Sequence, residues 1–81
     1  MVTELKVGGL YQHYKGNKYK LLSLVRHSET LEWLVCYECL YENPAGRLWV
    51  RPMEMFSETV EVNGQTVPRF KYLGISSGEG V

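Results

Sequence analysis

The stretch "EWLVCYECLY", residues 32–41, decides the fold. Read as a helix, Leu31, Leu34, Cys36, Cys39 and Leu40 give only partial helical spacing. Trp33, Val35, Tyr37 and Tyr41 oppose that reading, because a helix restricts the χ1 freedom of β-branched and aromatic side chains. Read as a strand, both faces are apolar: Trp33, Val35, Tyr37 and Tyr41 on one, Leu34, Cys36 and Leu40 on the other. A strand apolar on both sides lies centrally or beneath another layer. The strand reading organises everything on either side of it.

Upstream, "GLYQHY" (9–14) is short and aromatic and ends in the turn signal "KGN", which sets His13 roughly opposite Tyr19. "KYKLLSLVRH" (18–27) starts with alternation and becomes continuously apolar. Downstream, "ENPAG" (42–46) reads as a loop, and "RLWV" (47–50) as a strand halted by Pro52. "PMEMFSE" (52–58) allows one helical or 3-10 turn with proline at its first position. "TVEVNGQTV" (59–67) is a hairpin, since Asn63 and Gly64 accept the positive φ angles of a type I′ turn. Pro68 marks an edge or bend, and "RFKYL" (69–73) continues that strand. Five to six short strands in 81 residues predict an all-β domain, a small, partly open antiparallel barrel over residues 9–73. Residues 1–8 form an N-terminal arm, and the glycine-rich 74–81 a flexible tail.

A resemblance enters on "GLYQHYKGNKYKLL", "RHSETLE", "VCYECLY", "LWVRPMEMF" and "PRFKYL". These blocks resemble, across residues 9–73, a small bacterial family catalogued as domain of unknown function 1653. The resemblance implies a compact SH3-like β-barrel and no established activity. Its pattern positions here are Tyr14, Lys15, Gly16, His27, Ser28, Glu29, Thr30, Trp49, Arg51, Pro52 and Phe56.

Composition narrows the function. Nine basic residues balance nine acidic ones, so no large net field draws the chain to nucleic acid or an anionic membrane. The basic residues cluster before His27 and the acidic ones between His27 and Asn63, which in a folded sheet allows internal pairing. No run approaches the ~20 apolar residues of a membrane span. With two cysteines and an amino terminus unlike a signal peptide, the expected compartment is the cytoplasm.

Cys36 and Cys39 form a C-x-x-C, but no second ligand pair follows, and on a strand they point to opposite faces. They read as structural, and no metal or cofactor is expected. "RHSETLE" (26–32) packs an imidazole, two hydroxyls and two carboxylates into one turn. Adjacent His27 and Ser28 diverge on extended backbone and lack the spacing of a nucleophilic triad. The turn instead satisfies its own backbone through Ser28 and Thr30, with Glu29 or Glu32 pairing Arg26, or it contacts a ligand. In "LWVRP", Leu48 and Val50 share one face, Trp49 and Arg51 the other. With the aliphatics inward, indole and guanidinium stand together at the surface, beside Tyr37 or Tyr41 across the strand. The reverse puts Trp49 in the core and pairs Arg51 with Glu54 or Glu58.

The expected function is a non-enzymatic binding module. His27, Ser28, Glu29, Thr30, Trp49 and Arg51 would recognise a protein partner or a small anionic or aromatic ligand. The alternatives are a single-stranded nucleic-acid barrel using Lys15, Lys18 and Lys20 with the tyrosines, or an enzyme with His27 as general base oriented by Glu29.

Overall fold

The structure, a computed structural model, describes residues 5–75. The centre of "EWLVCYECLY", Trp33–Cys39, is a strand. β1 (Gly9–His13), β2 (Lys18–Arg26), β3 (Trp33–Cys39) and β4 (Leu48–Pro52) are followed by one helical turn, α1 (Met53–Ser57). After it come β5 (Thr59–Val62), β6 (Gln65–Pro68) and β7 (Phe70–Ile75). Five of these strands form one antiparallel sheet in the order β4-β3-β2-β1-β7, and β5-β6 form a separate two-stranded sheet. The large sheet ends at β4 and β7, which do not pair with each other, so the fold is an open all-β one and not a closed barrel.

The ladder between β2 and β3 carries a bulge between Leu21 and Ser23. An extra residue there shifts the side-chain parity of the rest of the strand. Leu21, opposite Tyr37, and Leu24, opposite Val35, thereby both face the core, while Ser23 turns out beside Cys36. The run "LLSLV" is thus a two-sided strand with one step in it.

The core is built from rings. Tyr11, Leu21, Val35, Tyr37, Phe56 and Phe70 are buried together, with Leu5, Tyr19, Leu24 and Met53 packed around them. α1 exists to deliver Phe56. Pro52 ends β4 and is the N-cap of the turn, one residue before the first helical position expected for it, and Phe56 lands flat on Phe70, centroids 4.0 Å apart and planes 2° from parallel. In the β5–β6 hairpin Asn63 and Gly64 take φ of 52° and 79°, as a type I′ turn requires.

Four expectations change. The chain makes seven strands, because 69–73 does not extend the hairpin strand. Pro68 lacks an N–H, the chain bends at Arg69, whose N–H donates to the Glu58 carbonyl, and β7 crosses to pair with β1. β7 also runs on through Gly74 and Ile75, opposite Leu10 and Gly9, so the tail expected from 74 begins in a strand. The rest of it, 76–81, lies outside the described residues, as do 1–4 of the expected arm. Tyr11, not His13, faces Tyr19; His13 lies opposite Phe70 and closes its turn by donating its N–H to the Asn17 carbonyl.

The fourth concerns β4. Trp49 lies opposite Tyr37 and Arg51 opposite Val35, and residues directly opposite share a face. Since Tyr37 and Val35 are buried, Trp49 and Arg51 point inward, while Leu48 and Val50 are 52% and 55% exposed on the outer face. Alternation alone cannot tell which of two half-apolar faces is in. The aromatic lattice decides it by offering the Phe70 ring, over which the Arg51 guanidinium lies. Thermodynamic tests follow from this. Phe56→Ala removes the ring under Phe70 and is expected to cost about 3–5 kcal/mol in urea unfolding, whereas Leu48→Ser should cost less than about 1 kcal/mol. Equal costs would mean that the faces of β4 are assigned wrongly.

Candidate functional site

The register that turns Trp49 inward also places it at the edge of the sheet, where the core runs out. A cavity of about 210 Å³ opens there, walled by Tyr19, Tyr37, Tyr41 and Trp49, with Arg51 at its side. The loop between β3 and β4 shapes it. Asn43 accepts the Ala45 N–H at 3.0 Å, tightening the turn, and its amide donates to the Tyr41 hydroxyl at 3.4 Å and the Cys39 sulfur at 3.7 Å. Gly46 takes φ 141°, a conformation in which a side chain is strained, and its carbonyl accepts the Trp49 indole N–H at 2.9 Å. The indole is therefore positioned by a hydrogen bond as well as by packing, although it stays 39% exposed.

The electrostatics of this cavity are one-sided. Arg51 Nε donates to the Tyr37 hydroxyl at 3.4 Å, and its guanidinium lies over the Phe70 ring, 5.4 Å from the centroid. Among the described residues the ion pairs are Arg47–Glu38 and Arg69–Glu58, so no carboxylate neutralises Arg51, neither Glu54 nor Glu58. Tyr41 shares a 3.0 Å hydrogen bond with Tyr19. That bond, then one to Cys39, then burial, holds its phenol well above the ordinary value of 10, so it stays protonated and uncharged. His13 packs edge-on against the same Phe70 ring, centroids 5.0 Å apart. Its pKa falls below the ordinary 6.5, first through desolvation and then through the charges of Arg51, Arg69 and Lys15.

The "HSET" turn is built differently. His27 Nδ1 accepts the backbone N–H groups of Glu29 at 3.1 Å and Thr30 at 3.3 Å. The His27 N–H donates to the Glu32 carbonyl, and its own carbonyl accepts from Leu31, which is held at φ 64°. The Thr30 hydroxyl accepts the Glu32 N–H and donates to the Glu32 carboxylate. Arg26 pairs with neither Glu29 nor Glu32. It donates to the Leu31 carbonyl and stacks on Trp33, 4.3 Å from the ring. The Nδ1 lone pair is thus engaged by two amides of its own turn, and that nitrogen presents no N–H for Glu29 to orient.

The structure therefore brings Trp49 and Arg51 together and leaves His27, Ser28, Glu29 and Thr30 apart from them. Arg51 sits in the Leu24–Val35 row, three residues short of His27 and two strands away, roughly 14 Å at about 3.3 Å per residue and 4.8 Å per strand. Its guanidinium reaches the other way, to Tyr37. Of Lys15, Lys18 and Lys20, only Lys15 meets a ring, its Nζ 5.8 Å from the Tyr14 centroid. Lys18 and Lys20 pair with Gln12 and Leu10 on the outer face, whereas Tyr11 and Tyr19 point inward. Cys36 lies opposite Val50 on the outer face and Cys39 lines the cavity, both as free thiols. No three His, Cys, Asp or Glu converge as a metal would require among the described residues. Nor is any helix among them long and apolar enough to cross a membrane.

Sequence reasoning reached Trp49, Arg51, Tyr37 and Tyr41. It missed Tyr19, Asn43 and Gly46. The β2–β3 register carries Tyr19, opposite Cys39, to the cavity, and "NPAG" is the kind of tight turn that folds back on its own strand.

An open five-stranded sheet, covered by one helical turn and ending in a cation-bearing aromatic cavity, defines a small all-β domain. The chain belongs to the family described as protein of unknown function, DUF1653, whose model matches residues 9–72. A crystal structure of a member of that family from Bordetella bronchiseptica is 38% identical, with a TM-score of 0.79 over 84% of this chain and 87% of that one. No curated protein matches the chain.

Two outcomes test these assignments. His27→Ala should lower stability by about 1–2 kcal/mol, because it strands two turn amides, and His27→Asn, whose side-chain oxygen also accepts turn amides, should recover part of the loss. Identical stability of His27→Ala and wild type would remove the turn-closing role. The depressed pKa of His13 means that the unfolded chain binds its proton first. Stability should then decline as pH falls from 6.5 toward the folded pKa, and His13→Gln should flatten that decline.

Proposed function

We propose that this chain is a binding module, and that the cavity beside Trp49 and Arg51 holds an anionic group carried on a single planar or apolar body. The observation that carries the reading is Arg51. A guanidinium stacked on Phe70 and bonded only to a phenol keeps donors available for a carboxylate, which it can take in a bidentate fork. The walls supply the other half of the recognition. Trp49, Tyr19 and Tyr41 offer ring faces and hydroxyls at fixed positions. The size suits one ring. A cavity of about 150 Å³ accommodates benzene, and this one is about 210 Å³. The absence of any acidic residue from the lining selects against cations, which an aromatic cage of the same shape would otherwise attract.

Ligand-observed NMR with benzoate, benzamide and benzylammonium addresses the charge preference directly. Benzoate should bind, the neutral amide should bind at least roughly tenfold more weakly, and the ammonium should not bind. Loss of one charge-assisted hydrogen bond corresponds to about that factor or more. Arg51→Lys, which keeps the charge and loses the fork, should retain an intermediate affinity. Benzamide binding as tightly as benzoate, or Arg51→Ala leaving benzoate affinity unchanged, would end this reading.

A further inference from the structure

A second concavity lies on the far side of the Phe70–His13 contact, where the β1–β2 turn meets the β5–β6 hairpin. It is a cleft of about 440 Å³. Val62, Val67 and Pro68 form one wall, Tyr14 and His13 the other, and Lys71 stands at its margin. The hairpin is a separate two-stranded sheet, and its Val62, Val67 and Pro68 side chains line this cleft.

Three features connect the cleft with the Arg51 cavity. First, both adjoin one ring: Arg51 lies 5.4 Å from the Phe70 centroid and His13 5.0 Å from it. The guanidinium and the imidazole are thus at most about 10 Å apart, the reach of about three extended residues. Second, the charges are of one sign. Arg51 lines the cavity, Lys71 lines the cleft, Lys15 acts on His13 between them, and no carboxylate lines either concavity. Third, the sizes are complementary. The cavity takes a ring-sized group, while the cleft takes aliphatic side chains and a length of backbone.

We propose that the cleft is a second subsite and that the two together hold an extended acidic peptide, with a carboxylate-bearing residue at Arg51 and an apolar residue about three positions away between Tyr14 and Val67. The proposal rests on the anion-binding reading of the Arg51 cavity and adds to it the class of partner. A nucleic acid fits less well. Its evenly spaced phosphates need a continuous cationic track, whereas Lys18 and Lys20 lie on the outer face, away from the Arg51 cavity, and Glu58 is close enough to pair Arg69.

The test is selection from a displayed library of random heptapeptides against the full chain, followed by affinity measurement of the recovered peptides. The expected consensus holds an acidic residue and a large apolar residue two to four positions apart. Arg51→Ala and the exposed-surface double variant Tyr14→Ala/Lys71→Glu, each checked for a native NMR spectrum, should each weaken binding roughly tenfold or more. If Arg51→Ala alone weakens binding, the cavity stands and the second subsite falls. If only the double variant does so, the Arg51 reading falls with the two-subsite proposal. Recovery of basic peptides, of no peptides, or binding to single-stranded oligonucleotide instead would overturn the proposal outright.

Discussion

The ring of Phe70 is the contact on which the rest of the structure depends. Phe56 lies flat against it at 4.0 Å, Arg51 is over the ring at 5.4 Å, and His13, Tyr19 and Tyr37 pack at angles around it. One side chain on β7 thereby joins β1, β2, β3, β4 and α1. Rings prefer offset stacks and edge-to-face contacts, which fix relative orientation as aliphatic packing does not. That matters in an open sheet, where no strand closure sets the curvature. It also explains how an arginine comes to lie on the inner face of so small a domain. A guanidinium is weakly hydrated and flat, so stacking on a ring costs it less than it would a lysine ammonium.

The candidate site is this lattice carried one step past the core. Tyr19 and Tyr37 belong to both: each touches Phe70, and each lines the cavity. At the edge strand the next ring in the pattern is Trp49, and between it and the tyrosines the space is not filled. The loop that follows β3 then holds the gap open, through Asn43 to Tyr41 and through the Gly46 carbonyl to the indole. A cavity held by backbone and side-chain hydrogen bonds is preorganised, so less conformational freedom is lost when it is filled.

Much of this was legible in the sequence. "VNGQ" announced its hairpin because Asn-Gly accepts the two positive φ angles of a type I′ turn, whose twist matches the strands, and the turn is there at Asn63 and Gly64. The alternating aromatics of residues 33–41 made a strand for a local steric reason, so they could be read locally. The faces of β4 could not, because Leu48/Val50 and Trp49/Arg51 are each plausible inner pairs until the register with Tyr37 is known. The Leu22 bulge and the turn of β7 toward β1 are likewise long-range outcomes, settled by which partner strand accepts the backbone. The cavity was half visible for the same reason: Trp49, Arg51 and Tyr37 are near neighbours across two strands, but Tyr19 arrives from a third.

The contrast between "HSET" and "LWVRP" carries the general point about locating a site. "HSET" has the higher density of catalytic residue types, yet its imidazole accepts two backbone amides, and its threonine and Glu32 bond to each other. Each of those groups is answered by its own turn, whose work is to hold Leu31 at φ 64° and reverse the chain between β2 and β3. Arg51 is the opposite case: a single cation, half-buried, stacked on a ring and unmatched by any carboxylate among the described residues. A polar group whose partners are all local is structural, however suggestive its type. One that the fold holds in place without neutralising it remains available to something outside the chain, and in this domain that condition is met beside Trp49.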